Sequence, residues 1–306
     1  MISNISGAGQ LFLSSLSQVQ NALTQTQLQV SSGVEVTEPS DAPDQVSAIL
    51  QLHASIQANQ QTTANLTSVQ SEVNSADQSL SNVTTLLDQV QTLASQGLGL
   101  TQTAASRASL ASQVQSLTQQ IVGLSQTTFE GRYVFGGASD QSPSYQYDTS
   151  TQTVDRLQVS PSTRQVADSS GATFPVGLSA NQVFDVRDAS DLPASGNVFA
   201  AVTAVSVALL ANNTSALQAA ASSVSTASTY VNQQQTFYGQ TENRITQALS
   251  VASQASISSQ QDLSDRQDAN VTSSILEMTQ ESTDLQAAMA SYAKLPHTSL
   301  FSVLPS

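Results

Sequence analysis

The sequence has no cysteine, no tryptophan and a single lysine, Lys294. Without cysteine the chain can form neither disulfides nor thiolate metal sites. Eight basic residues stand against 22 acidic ones, which leaves a net charge of −14. A surface this acidic repels nucleic-acid phosphates and anionic lipid headgroups, so we expect neither a nucleic-acid partner nor a membrane partner.

Glycine, proline and aromatic residues are also scarce: the chain has 13 glycines and 8 prolines, and 5% of its residues are aromatic. Low glycine and proline argue against wholesale disorder. A compact globule of this length normally has more large apolar residues, whereas an elongated helical protein buries only narrow seams. No apolar run is long enough to span a bilayer, and the N-terminus lacks the features of a cleaved secretory signal. We therefore expect an elongated, mainly helical protein that, if it leaves the cell, does so by another route.

Each end of the chain carries an apolar seam. Near the C-terminus the gaps alternate between four and three residues, as in the a/d positions of a coiled coil, and near the N-terminus two series repeat every seven residues. We predict that these two helices pack on each other and form the assembly interface; the alternative is that each packs on a local core. The predicted interface residues are Ile5, Phe12, Leu16, Val19, Leu23, Val30, Val271, Ile275, Met278, Leu285, Met289 and Tyr292.

Between the terminal seams, further stretches have helical periodicity and predict an antiparallel bundle. One helix should run from about Pro43 to Ser95, and a helical pattern that resumes at Asn197 is followed by an element that, if continuous, runs from Thr214 to Leu295. That element would be about 120 Å long. The predicted buried positions are Val69, Val73, Ala76, Leu80, Val83, Leu87, Val90 and Ala94, then Leu110, Val114, Leu117, Ile121 and Leu124, then Val198, Val202, Val205 and Leu209, and finally Leu217, Val224, Val231, Tyr238, Ile245 and Ala252.

The periodicity changes from helical to extended at 129–137, and most prolines and aromatics follow it. Short β-like runs at 153–159 and 163–166 are separated by turn residues. The predicted fold is therefore mainly α: an elongated antiparallel helical bundle with terminal coiled-coil helices and a small β-rich insertion domain. The predicted domains are 1–38 with 266–306 (terminal coiled coil), 39–137 with 194–265 (bundle) and 138–193 (insertion).

No pattern in the sequence predicts catalysis, a cofactor or a metal. The two histidines, His53 and His297, are far apart in the predicted layout. Asp262, Asp265 and Asp268 are three residues apart, which spreads them around a helix, and Arg266 can pair with Asp262 one turn away. Asp185, Asp188 and Asp191 lack the alternation and the glycine of a calcium loop. We interpret the chain as a non-enzyme.

Several motifs resemble the bacterial flagellin family. They are the paired terminal heptads, Ser40-Asp41-Ala42-Pro43 at the start of the first bundle helix, Glu242-Asn243-Arg244-Ile245, and the C-terminal run from Leu285 to Tyr292. Within the family, Phe129-Glu130-Gly131-Arg132-Tyr133-Val134-Phe135-Gly136-Gly137 and the stretch from Gly177 to Asp185 are similar to the branch that joins the hook to the filament. The tail at 303–306 is similar to that of some flagellins, so a filament flagellin is the second interpretation.

This resemblance implies a structural subunit of the flagellum, exported through the flagellar type III channel without a cleaved signal peptide and located outside the cell. It implies four partners: the other hook-associated junction protein, filament flagellin, further copies of the chain in a ring, and a cytoplasmic export chaperone. A third interpretation, from another class, is an extracellular binding protein on a coiled-coil stalk. That protein would hold its ligand at residues 138–193.

Overall fold

The computed structural model describes residues 3–160 and 162–293 and contains seven helices and three two-stranded antiparallel sheets within them. By their contacts these residues fall into two compact units, one within Met1–Gln57 and Ser256–Ser306 and the other formed by Ala58–Ala255. The elements are α1 (Ser3–Ser32), α2 (Val46–Gly97), α3 (Ala104–Ser125), β1 (Thr128–Phe129), β2 (Arg132–Tyr133), β3 (Tyr145–Asp148), β4 (Thr153–Arg156), β5 (Gln165–Ala167), β6 (Thr173–Pro175), α4 (Ala180–Val183), α5 (Val198–Leu210), α6 (Thr214–Gln267) and α7 (Val271–Ala293). The prediction of a mainly α fold with a small β-rich part is confirmed.

The second unit is a helical bundle around one apolar core. The seam of α2 from Val69 to Ala94 is buried at every predicted position. The seam of α6 from Leu217 to Ala252 is buried likewise, because one residue in each heptad returns to the same side of a helix. In α3 the predicted positions from Leu110 to Ile121 are buried, and Leu124 is half-buried against the core.

One buried cation holds two turns of the bundle together. The Arg107 Nε donates to the Gly97 carbonyl at 2.8 Å, at the end of α2, and one of its Nη groups donates to the Asn212 side chain between α5 and α6. The Gly97 carbonyl is one of the unpaired acceptors at a helix C-terminus, where a positive charge is favourable. Arg107 therefore joins the α2–α3 and α5–α6 connections.

The segment 138–193 shares its core with the helices of the second unit. Tyr145 and Phe184 pack against Phe199 of α5, with ring centroids 4.9 and 5.9 Å apart, and Phe135 packs against Tyr238 of α6 at 6.3 Å. The Leu178 N–H donates to the Tyr238 hydroxyl oxygen. The division into three domains, with 138–193 as a separate one, stays a prediction.

The β5–β6 hairpin is held by charged side chains of two helices. The Arg244 guanidinium of α6 lies 4.4 Å from the centre of the Phe174 ring, which is a cation–π contact. An Arg164 Nη group lies 2.7 Å from Oε2 of Glu72 on α2. Burial nevertheless raises the pKa of the Glu72 carboxyl, and Arg164 opposes that shift.

The glycines at 136 and 137 are required by close backbone approach. A Cβ at Gly137 would lie 2.5 Å from the Ser162 carbonyl oxygen, and the backbone there has φ +59°. A Cβ at Gly136 would lie 2.6 Å from Cα of Asp140. Both contacts are with backbone atoms that cannot move aside easily, which accounts for this pair of glycines at the end of the 129–137 segment.

The long element expected from Thr214 to Leu295 is interrupted within the described residues. Helix α6 ends at Gln267 and α7 begins at Val271. The Glu35 N–H donates to the Gln267 carbonyl at 2.7 Å, and the Ala269 N–H donates to the Gly33 carbonyl at 2.9 Å. The break occurs because the chain after α1 forms backbone hydrogen bonds with 267–269, replacing the bonds that a continuous helix would make.

Buried tyrosines give a testable dependence of stability on alkaline pH. Burial raises the pKa values of Tyr145 and Tyr238 above the usual value, and the nearby Asp185 carboxylate raises that of Tyr145 further. The unfolded chain therefore loses these phenol protons first, so the contribution to stability is present below about pH 10 and is lost as pH rises toward the folded pKa values. We expect the free energy of unfolding, measured in urea, to fall by up to about 1.4 kcal/mol per pH unit for each tyrosine above pH 10.

Single substitutions separate the two tyrosines. Tyr238→Phe and Tyr145→Phe should each reduce the steepness of this fall by up to about 1.4 kcal/mol per pH unit, whatever they cost at neutral pH. An unchanged slope in both variants would show that other groups cause the alkaline loss of stability.

Candidate assembly interface

The terminal helices α1 and α7 pack against each other within the first unit. They run antiparallel, because the bridge between Val34 and Asp268 joins the end of α1 to the start of α7. On α1, buried and half-buried residues recur at four- and three-residue spacing, which places them on one side of the helix. They are Phe12, Leu16, Val19, Leu23, Thr26 and Val30.

On α7 the face toward α1 differs from the predicted seam. Ser274 is buried, Met278 and Leu285 are half-buried, and Glu281 and Ala288 fall in the same 4-3-4-3 series. Two of these five residues are polar and one is small, so a search for large apolar residues does not find them. The spacing itself was the available signal.

Three predicted interface residues of α7 remain in solvent. Val271, Ile275 and Met289 are 43, 45 and 59% exposed. At about 100° per residue, Val271 and Met289 lie on the same side of the helix, and Ile275 lies about 40° further round. These three residues form an apolar flank beside the face that contacts α1; we call it the α7 flank. The side chains of Ile5 and Tyr292 lie outside the described part of the structure.

The geometry of α7 leaves its apolar surface half covered. The apolar arc extends over about 80°, from Leu285, half-buried against α1, round to Ile275, and its Ile275 side stays in solvent. Exposed apolar side chains also occur on α1, where Leu11 and Leu28 lie outside the contact with α7. This surface is suited chemically to packing against the helices of another molecule.

The Ser40–Pro43 motif ties the end of α1 to the start of α2. The sequence placed this motif at the start of the first bundle helix. In the structure, Oδ2 of Asp41 accepts the N–H groups of Thr37 and Glu38 at 3.0 and 2.8 Å, in the turn before α2. These backbone hydrogen bonds, Glu38 first, hold the pKa of the Asp41 carboxyl below its usual value. The Gln25 amide of α1 approaches the other carboxylate oxygen at 3.4 Å.

Of the candidates for a catalytic or metal site, the aspartates at 185, 188 and 191 make structural contacts. His53 is exposed on α2, and His297 lies outside the described residues. Asp185 is buried in a hydrogen-bond network, Asp188 accepts the N–H groups of a turn, and Asp191 pairs with Arg156. Among residues 3–160 and 162–293, no three His, Asp or Glu side chains gather as metal ligands.

Of the helices within residues 3–160 and 162–293, none combines the length and the apolar character needed to cross a bilayer.

Comparison with known proteins identifies what the chain resembles. Residues 4–140 match the family model for the bacterial flagellin N-terminal helical region. The resemblance to the flagellin family that the motifs indicated is therefore confirmed. A search of curated proteins gives no match.

Solved structures resemble the chain over most of its length. A flagellar hook-associated protein from Vibrio parahaemolyticus is 17% identical with a TM-score of 0.65, covering 74% of this chain and 100% of that one. Flagellar hook-associated protein 3 from Legionella pneumophila is 14% identical with a TM-score of 0.59, covering 72% and 98%. FlgL from Bacillus cereus is 17% identical with a TM-score of 0.55, covering 71% and 100%. At these identities the similarity is one of fold.

Proposed function

We propose that this chain is a structural subunit of the bacterial flagellum, a junction protein that joins the hook to the filament and assembles through α1 and α7. The observation that carries the proposal is the half-covered apolar arc of α7, where Val271, Ile275 and Met289 remain in solvent. Burying this flank against a neighbouring copy removes apolar surface from water, which favours association. The fold shared with hook-associated proteins supports the same role.

A junction protein lies between the hook and the filament, so the proposal implies partners on both sides. They are a second hook-associated junction protein on the hook side, filament flagellin on the distal side, and further copies of the chain in a ring. A cytoplasmic chaperone would hold the exposed terminal helices before export through the flagellar type III channel. A subunit with this role carries out no catalysis.

A filament flagellin is the second candidate, and the match of residues 4–140 to the flagellin N-terminal region supports it. The two functions differ in what terminates growth. A flagellin adds to itself without limit, whereas a junction subunit forms a layer that needs a hook or filament end as a template.

Electron microscopy of the purified full-length chain distinguishes these functions. The chain is examined alone in polymer-promoting salt, and then with hook fragments and with filament seeds. We expect no long filaments from the chain alone, and extra density at one end of a hook or filament. Long filaments from the chain alone would make it a flagellin. Discrete oligomers that bind to neither hook fragments nor filament seeds would favour the stalked binding protein.

A further inference from the structure

Charged residues are almost absent from half of the bundle unit. The stretch 78–129 contains only Asp88 and Arg107, and 192–241 contains no charged residue at all. Arg107 is buried with its hydrogen bonds directed at the turns, so its charge is not on the surface. Charge depletion is the compositional sign of an interface centre. In a chain of net charge −14, these are the surfaces where a second copy meets the least repulsion.

Helix α5 is apolar on every side, with Thr203 and Ser206 its only polar residues. Its inner face lies in the core, and its outer face is in solvent, where Val207 and Leu210 are 58 and 52% exposed. A helix that is apolar all round is usually buried all round. Residues 3–160 and 162–293 cover only one side of α5. We call the outer face, made by Ala200, Thr203, Ala204, Val207 and Leu210, the α5 ridge.

A groove lies on each side of the α5 ridge. One, of about 440 Å³, separates it from Ser222 and Thr226 of α6. The other, of about 390 Å³, separates it from Val154 and the β3–β4 hairpin. The α5 ridge is therefore a convex apolar feature with room for neighbouring side chains along both edges.

A concave surface of matching character lies between α2 and α3. Two hollows of about 400 and 450 Å³ follow each other along these helices. Leucines line both hollows, and glutamine, asparagine, threonine and serine complete their lining without any charged residue. A Cβ at Gly123 would meet no atom within 4 Å, so this position leaves space for close approach. The leucines of this α2–α3 groove are Leu86, Leu93, Leu117 and Leu124.

The dimensions of the two surfaces agree. The groove uses residues 82–93 of α2 and 113–124 of α3, each about 17 Å long at 1.5 Å per residue. The exposed side of α5 extends over a similar length, since the helix has 13 residues. A helix laid in a groove between two others packs by ridges into grooves, as helices within one protein do.

We propose that the α5 ridge of one copy seats in the α2–α3 groove of a second copy. The contact joins two different surfaces, so it propagates from copy to copy and closes into a ring only if the rotation allows. This contact goes beyond the proposed junction function and does not use the terminal helices.

The absence of cysteine makes disulfide trapping a direct test. Val207→Cys and Gln120→Cys are introduced into separate full-length copies, which are mixed at equal concentration and oxidised under mild conditions. We expect at least tenfold more disulfide-linked dimer from the mixture than from either variant alone. The matched control replaces Gln120→Cys with Asn243→Cys, an exposed α6 position between Glu242 and Arg244. Equal dimer with Asn243→Cys, or a predominance of Val207–Val207 pairs, would overturn the proposal.

A second comparison tests the apolar character of the contact. Val207→Asp and Val251→Asp place the same charge at helical valines that are 58 and 57% exposed. Each substitution is combined with Thr203→Cys in one copy, which is then mixed with the Gln120→Cys copy and oxidised. Val207→Asp should reduce the dimer about tenfold and Val251→Asp should leave it unchanged, while equal effects would refute the ridge. If the disulfide-linked dimer forms but hook and filament ends do not capture the chain, only the junction role is wrong. If hook or filament ends capture the chain but the dimer does not form, only this contact is wrong.

Discussion

Ile275→Asp is expected to abolish assembly while leaving the monomer folded. Ile275 lies on the α7 flank with 45% of its surface exposed, so the new carboxylate is solvated in the monomer. Surface substitutions of this kind change the free energy of unfolding by about 0.5 kcal/mol or less. In an assembly that buries the flank, the same carboxylate loses its water without gaining a partner, which is costly. We expect at least a tenfold loss of chain captured by hook or filament ends, counted by electron microscopy.

Two further substitutions in α7 serve as controls for this result. Thr283→Asp adds an identical charge at an exposed position on another side of α7 and should leave capture unchanged. Met278→Asp is directed at α1 instead, so it should destabilise the α1–α7 pair in the monomer, seen as lost helical circular dichroism. Normal capture of Ile275→Asp would show that the α7 flank is not an assembly surface.

The bundle seams were predictable because a bundle helix has one core to face. The predicted positions of α2, from Val69 to Ala94, are at most 4% exposed, and those of α6 behave alike. A heptad that repeats regularly over many turns indicates which side of the helix is buried, and a longer repeat makes that prediction more reliable. For such helices the sequence pattern is sufficient.

The terminal helices were predictable only in part. The pattern identified α1 and α7 and their pairing, but it placed Val271, Ile275 and Met289 on the face that meets α1. Apolar side chains occur at every surface that becomes buried, whether within the monomer or in an assembly. Their spacing does not show which neighbour covers which side of the helix. The single chain buries Ser274 against α1 instead. Periodicity alone does not separate these two surfaces.

Contacts between distant residues were not predictable from local pattern. Arg107 reaches Asn212, 105 residues away, and the Asp185 carboxylate meets Tyr145, 40 residues away. The even spacing of Asp185, Asp188 and Asp191 gave no indication that the three have different environments. Only the fold determines which of them is buried.

Asp185→Ala is therefore expected to destabilise the protein strongly, unlike Asp188→Ala. Asp185 is 4% exposed, and its carboxylate accepts the Tyr145 hydroxyl at 3.2 Å, the Asn197 amide at 2.7 Å and the Arg187 Nε at 3.0 Å. These three donors connect β3, the start of α5 and the loop between α4 and α5. Removing the acceptor leaves a partly buried guanidinium without its main partner, a loss of about 3–5 kcal/mol.

Asp188 provides the matched comparison, since it is the same residue type three positions along the chain. Its carboxylate accepts the N–H groups of Ser190 and Leu192 in an exposed turn, where the lost hydrogen bonds are replaced by water. Its removal should cost about 1 kcal/mol. Urea unfolding of both variants at neutral pH measures the difference. Equal costs would mean that the Asp185 network is a consequence of the packing between 138–193 and α5, and that the aromatic contacts of Tyr145 and Phe184 with Phe199 hold that segment in place without it.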